Sequence, residues 1–456
     1  MTETSSPRLL AVVLLLATVL IFYNLGGGSL KDWDEAYTAE RAREILVFHD
    51  WVTIHWNYRP DFVKPPLYYW LTALVYQIIG VSEFATRLWS ALFGLLGFYA
   101  VYRLGKVIFS VQVGVIAAAL LLTVTYYLHS ARTAMLDTGL LSFGVLGLCA
   151  FLSHAFLLGW TLLGIGFMLK GPWVLFYLLP LPFWWLTQRQ WDVLRNPRLY
   201  LGAALFLAIV LPWHLSQYAL HDQAFFNSYV GYQIAARIQQ PIEGHEHDVL
   251  FYLKRLSDKW HVWIYWFLIG HLVVGWRRKE GRKLAFLDLW VLTILLILTF
   301  VIKTKITEYS MLLYPAIAVM VSYFILYALE QLRWGKRLVI VSGTVSLALF
   351  FSLYDCTLDF NPEVKALGQV VQRHAAGSQP IVTFSTMQPV MVFYCRRPVH
   401  WVRQAELLPQ VLQSGSLLIR KKSVAPPSLE PYGLTFHSLF EGPKYSLVAL
   451  SRAHSR

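Results

Sequence analysis

Apolar runs separated by short polar connections make up most of the chain. The runs approach the roughly 20 residues that cross a hydrocarbon core. They are Leu9–Leu25, Ala85–Tyr102, Val113–Leu128 and Thr138–Ala155, then a short, re-entrant-looking pair, Leu157–Leu169 and Trp173–Leu186. Leu199–Leu215, Trp260–Val274, Leu284–Val301, Ser310–Leu329 and Leu338–Leu353 follow. The pattern predicts an α-helical polytopic membrane protein of about 11 spans. Arg8 before the first run resembles a signal peptide, but no small-x-small cleavage site follows, so that run reads as a retained span.

The pattern changes twice. Between the first two spans lies a long polar loop (26–84), whose segment Asp32 to Pro66 reads DWDEAYTAERAREILVFHDWVTIHWNYRPDFVKPP. After residue 354 the long runs stop. PIVTF (380–384), VHWV (399–402) and SLLIR (416–420) read as strands, with helices at Val364–His374 and Gln404–Leu412 between them. This predicts two domains: a membrane region, 1–354, and a small α/β domain, 355–456.

Charge sets the orientation. Basic connections lie at Arg189–Arg198, Arg277–Lys283 and Arg333–Arg337, with a weaker one at Arg103 and Lys106. Lys and Arg are enriched on the cytoplasmic side. With about 11 spans and the N-terminus inside, all of these fall inside. The loop 26–84, Arg132–Asp137, Lys170–Pro172, His221–Lys259, Lys303–Tyr309 and the tail then fall outside, on the periplasmic face of an inner (plasma) membrane. Composition agrees: 57% of residues are hydrophobic and only 14% charged, the balance of a membrane protein rather than a nucleic-acid binder, despite a formal charge of +13. Cys149, Cys356 and Cys395 follow no metal-ligand spacing; the pattern leaves open whether the last two pair.

The outer segments hold the candidate chemistry. Asp32-x-x-Glu35 matches a capping box, which predicts a helix running to about Val47. Asp34 and Glu35 either favour that helix N-terminus electrostatically or present one carboxylate to a cavity. Lys64, before Pro65 and Pro66, is either a snorkelling lysine or a cation that clamps a phosphate. Lys170-Gly171-Pro172 breaks an apolar run, and a lysine there is costly unless it faces water or a partner. Arg132 and Asp137 make a local ion pair or face a cavity. Glu243, His245, Glu246, His247 and Asp248 gather metal-ligand types without a specific zinc spacing. Lys303, Lys305 and Tyr309 open an outer-face span. Cations around an outer cavity suit a lipid-linked phosphate, whose charge needs neutralising as it leaves. A nearby carboxylate suits deprotonation of an acceptor hydroxyl. No P-loop, Gly-rich dinucleotide loop or nucleotide-sugar signature is present, so no nucleotide cofactor is expected.

At this point the chain resembles the GT-C membrane glycosyltransferases of the protein O-mannosyltransferase and lipid A aminoarabinose transferase superfamily. The resemblance spans roughly Leu9 to Tyr354. It rests on DEAYTAERAREIL then DW (34–51), KPPLYYWLTAL (64–74), SEFATRLWSALFG (82–94), ARTAMLD (131–137), LKGP (169–172), PWHL (212–215), PIEGH (241–245) and KITEYSMLLYP (305–315). It implies inverting transfer from a polyprenyl-phosphate sugar at the periplasmic face to a lipid A-like, glycan or protein acceptor. Asp34 is then the essential carboxylate of the first loop and Asp137 that of the second. Lys64, Lys170 and Tyr309 contact the donor phosphate region, and Arg132, Lys303 and Lys305 add charge there. His245, with Glu243 beside it, matches a position that binds a divalent cation (Zn, Mg or Mn) in the aminoarabinose transferases. The other ligand in those enzymes precedes the KP lysine, and here that place is Val63. Glu308 and Ser310–Leu312 also replace a more apolar, proline-containing pattern. Two other readings remain: a protein O-mannosyltransferase, and a flippase for lipid-linked sugars. Pseudo-symmetric halves, frequent in transporters, are not visible here.

Overall fold

The computed structural model describes residues 6–274, 280–374, 379–386, 388–404, 407–412, 415–424 and 434–452. Arg277 to Lys279 of the basic connection Arg277–Lys283 lie outside them. Among the described residues six helices are long and apolar enough to cross a membrane: Glu83–Ile108, Phe156–Thr187, Pro197–Gln239, Gly281–Val301, Thr307–Gln331 and Gly335–Leu353. The bent pair Val111–Leu122 and Thr125–Arg132, at 72°, makes a seventh. Length and composition alone thus do not confirm the expected count of about 11 spans. Three expected spans are shorter apolar helices, Pro7–Phe22, Asp137–Leu152 and Val262–Val273, and the re-entrant-looking pair falls within one 32-residue stretch.

That stretch is not straight. Gly171 takes φ +79, a conformation that costs glycine least, and the helix changes from α to 3-10 winding there. A Cβ placed on Gly166 would lie 2.6 Å from Val174 Cγ2. Residues eight apart in a straight helix are about 12 Å apart along its axis, so the chain doubles back at Lys170–Gly171.

The chain divides into two compact units, and the division runs through the helices Leu67–Ile79 and Glu83–Ile108. The first unit is 1–23, 62–68 and 88–355, and its helices pack on one another. The second is 24–61, 69–87 and 356–456. In the second unit β1 (His55–Trp56) and β2 (Arg59–Pro60) form a short hairpin. The tail carries β3 (Ile381–Phe384), β4 (Val399–Val402), β5 (Leu417–Lys421), β6 (Leu434–Glu441) and β7 (Tyr445–Arg452), in sheet order β4-β3-β5-β7-β6. β3 pairs parallel with β4 and β5; β7 pairs antiparallel with β5 and β6. Strand alternation sends Ile381, Leu417, Ile419 and Leu447 to one core, with the helices Pro362–His374 and Pro389–Cys395. Val382, Leu418, Val448 and Leu450 go to the other. Ala36 and Ala39 of the helix Asp34–Phe48 join the first core, so part of the first polar loop folds together with the tail. Cys356 is exposed and Cys395 buried, and neither is in a disulfide.

Candidate active site

In the first unit the reversal at Lys170–Gly171 sets the site. It places Lys170 at the end of one helix and opposite Asp137, the first residue of the helix Asp137–Leu152. Lys170 Nζ donates to Asp137 Oδ1 at 2.5 Å, with both side chains buried. An ammonium has three N–H donors, and this is the one hydrogen bond Lys170 makes among the described residues. Lys170 and Asp137 line a small, partly open pocket with Trp173, Tyr177, Glu308, Tyr309 and several apolar side chains. Trp173 stacks on Tyr309, with ring centroids 4.1 Å apart. Glu308 Oε1 accepts a hydrogen bond from the Tyr126 hydroxyl at 2.8 Å.

Pro65, next in the chain to Lys64, approaches the same turn. A Cβ on Gly171 would meet the Tyr229 hydroxyl at 3.1 Å and Pro65 Cδ at 3.9 Å. Tyr229 shares a hydrogen bond with His214 Nε2 at 3.2 Å, tying the PWHL segment to this corner. The other expected cations lie elsewhere in the unit. Arg132 is buried, donates to the Tyr354 hydroxyl and the Tyr23 carbonyl, and stands over the Tyr354 ring. Lys305 Nζ donates to the carbonyls of His247 and Asp248 at 2.9 and 2.8 Å, so its charge pins that loop. Lys303 is exposed and donates to the Phe300 carbonyl. Neither lysine nor Arg132 lines the cavity.

The residues considered for a divalent cation do not form a donor set. Among the described residues no three His, Cys, Asp or Glu side chains gather in a way that would hold a metal ion. Glu243 pairs with Arg237 at 2.8 Å and accepts from Tyr232. His245 accepts the Lys305 N–H on its carbonyl. In the nearby loop the exposed Lys254 ammonium holds the Asp248 carboxyl below the usual range. This set does not fit a resident metal, and no step is routed through one.

In the second unit Asp34 opens the helix Asp34–Phe48 and is exposed. Its charge acts on the buried Tyr69. The expected capping box takes another form. Asp32 Oδ1 accepts the Val390 N–H, and burial raises the Asp32 carboxyl above its ordinary range. Glu35 accepts the Lys31 N–H and pairs with Arg87. Sequence reasoning passed over Arg87, Tyr126, Trp173, Tyr177 and Arg237. Asp137, Lys170 and Tyr309 were the sequence signals for this cavity, with the departure at Glu308 beside them.

Comparisons agree with this architecture. The family described as dolichyl-phosphate-mannose-protein mannosyltransferase matches residues 63–215. An uncharacterised protein of Aquifex aeolicus is 26% identical over 357 residues, covering 75% of this chain and 69% of that protein. The undecaprenyl phosphate-alpha-4-amino-4-deoxy-L-arabinose arabinosyl transferase 2 of Pseudomonas fluorescens is 29% identical over 63% of this chain, which spans 54% of that enzyme's length. Among solved structures, ArnT from Cupriavidus metallidurans in the apo state aligns with TM-score 0.78 and 18% identity, over 98% of this chain and 99% of that one. The same enzyme bound to undecaprenyl phosphate aligns with TM-score 0.77 over 98% of each chain.

Proposed function

We propose that the chain, whose fold resembles that of ArnT from Cupriavidus metallidurans, is a glycosyltransferase of the GT-C type that moves a sugar from a polyprenyl-phosphate carrier to a cell-envelope acceptor at the periplasmic face of the inner membrane. The observation that carries this reading is the buried Lys170–Asp137 pair at the chain reversal, beside the Lys64-Pro65 corner. In the reaction an acceptor oxygen attacks the anomeric carbon from the face opposite the carrier. The bond from that carbon to the phosphate oxygen breaks, and polyprenyl phosphate leaves with an added negative charge. Lys64 and Lys170 stabilise that charge; an ammonium in a dry, preorganised site acts more strongly than one in water. Asp137 fixes the Lys170 ammonium. Asp34, by the resemblance, takes the proton of the acceptor hydroxyl. Trp173 and Tyr309 wall the cavity against water.

The proposal is tested in membranes supplied with the donor. Asp34→Asn and Lys64→Ala each abolish transfer while the protein is made at its normal level; near-normal turnover in either removes that residue's role. The match to the mannosyltransferase family over 63–215 favours a protein acceptor as the second reading. Mass spectrometry of envelope lipids, glycans and secreted proteins from a deletion strain and its parent separates the two.

A further inference from the structure

The cavity beside the Lys170–Asp137 pair has polar groups that the transfer step leaves unused. Glu308 lines it, and its one hydrogen bond among the described residues comes from Tyr126. None of those residues forms an ion pair with Glu308. Lys259 stands 5.0 Å from the centre of the Tyr126 ring, behind the phenol rather than on the carboxylate. Tyr177 also lines the cavity, is 0% exposed, and its hydroxyl has no hydrogen-bond partner among the described residues. Its ring is seated against Gly144, where any Cβ would collide with it. Buried polar groups without partners are rare in folded proteins and cost stability. The Tyr177 hydroxyl is such a group, and the half-buried Glu308 carboxylate beside it keeps acceptor capacity beyond its one bond from Tyr126. With Asp137 and Lys170 spent on each other, the cavity carries the uncompensated negative charge of Glu308.

We propose that this cavity receives one hydrogen-bond-donating substituent of the carrier-borne sugar, a hydroxyl or an amine, which bonds Glu308 and Tyr177, and that it turns away acidic sugars. The inference rests on the donor-lipid reading above and names the sugar class that reading accepts. Glu308 is then a specificity residue for the sugar.

The test measures binding of three lipids to the full chain in nanodiscs: polyprenyl phosphate, glucosyl polyprenyl phosphate and glucuronosyl polyprenyl phosphate. The two sugars differ by one carboxylate. The glucuronosyl lipid binds about 100-fold more weakly than the glucosyl lipid, as like charges brought together without a counter-ion demand, and Glu308→Gln narrows the gap to under about 10-fold. Tyr177→Phe removes no bond from the empty protein, so its melting temperature holds. It weakens the glucosyl lipid by about 3- to 10-fold, the worth of one hydrogen bond, and leaves bare polyprenyl phosphate unchanged. Equal affinity for the two sugars, or a gap that Glu308→Gln does not alter, overturns the inference alone. So does Tyr177→Phe with unchanged glucosyl affinity, which assigns the cavity to an ordered water. Failure of all three lipids to bind removes the donor-lipid reading itself.

Discussion

The buried charges of the second unit and those around the Lys170 cavity of the first are treated in opposite ways. In the second unit Arg87 and Glu35 are both 0% exposed, and every guanidinium nitrogen of Arg87 is in use. Nε and Nη2 reach Glu35, Nη1 donates to the carbonyls of Leu25 and Gly27, and Nη2 also donates to those of Ser29 and Leu358. Arg41 pairs with Asp61 and Arg43 with Glu40 in the same manner. In the first unit, among the described residues, Lys170 makes one bond, Glu308 accepts one, and the Tyr177 hydroxyl makes none. A fully bonded buried network fixes a fold; one with bonds left over is costly unless a ligand completes it. Counting bonds, rather than charges, separates scaffold from site here.

Substitutions break or sharpen this contrast. Arg87→Met has the largest effect. It strands Glu35 and costs about 3–5 kcal/mol of stability, read as lost expression and a lower unfolding midpoint in detergent. A well-folded but inactive Arg87→Met protein would move Arg87 from scaffold to site. Next, Lys170→Met lowers turnover by about 10²- to 10³-fold. Combining it with Asp137→Asn removes the stranded carboxylate, so melting recovers while transfer does not. If transfer recovers as well, the pair is scaffold after all.

The smallest effect sharpens the contrast from within the scaffold. Burial, and then the neighbouring Glu40 carboxylate, pushes Glu44 up to about 9, against the Tyr58 N–H and Arg43, which lower it. An acid whose pKa is raised on folding holds its proton more tightly in the native state. Stability therefore falls as pH rises from the ordinary 4.5 to about 9. Melting temperature of the full chain should drop across that window, and Glu44→Gln should flatten the drop. An equal slope in the variant would exclude Glu44 as its source.

Much of this was legible in the sequence. The helix Asp34–Phe48 and the strands β3, β4 and β5 fall within a residue or so of their expected positions, because turn chemistry and short β-branched runs are local signals. The break at Lys170-Gly171-Pro172 was also local, since a lysine and a proline interrupt an apolar run where the chain turns or the ammonium meets a polar partner. Three things were hidden. β6, the edge strand, is mostly exposed and lacks clean alternation, and β7 is covered on both faces, so its residues read as a continuous run. Arg87 sits 52 residues from Glu35, and nothing in either segment announces the other. Arg132 and Lys305 look like site cations by type and position, yet carbonyls and a hydroxyl take them up. Those contacts exist only in the folded chain.

The central claim, that Lys170 and its neighbours stabilise a departing carrier phosphate, is most directly tested in proteoliposomes holding the full chain, a polyprenyl-phosphate sugar labelled in the sugar, and extracted envelope acceptors. The account predicts that label moves covalently to an acceptor and that Lys170→Met stops this. Label that stays on the carrier and only changes leaflet would contradict it, and would make the protein a transporter of lipid-linked sugar.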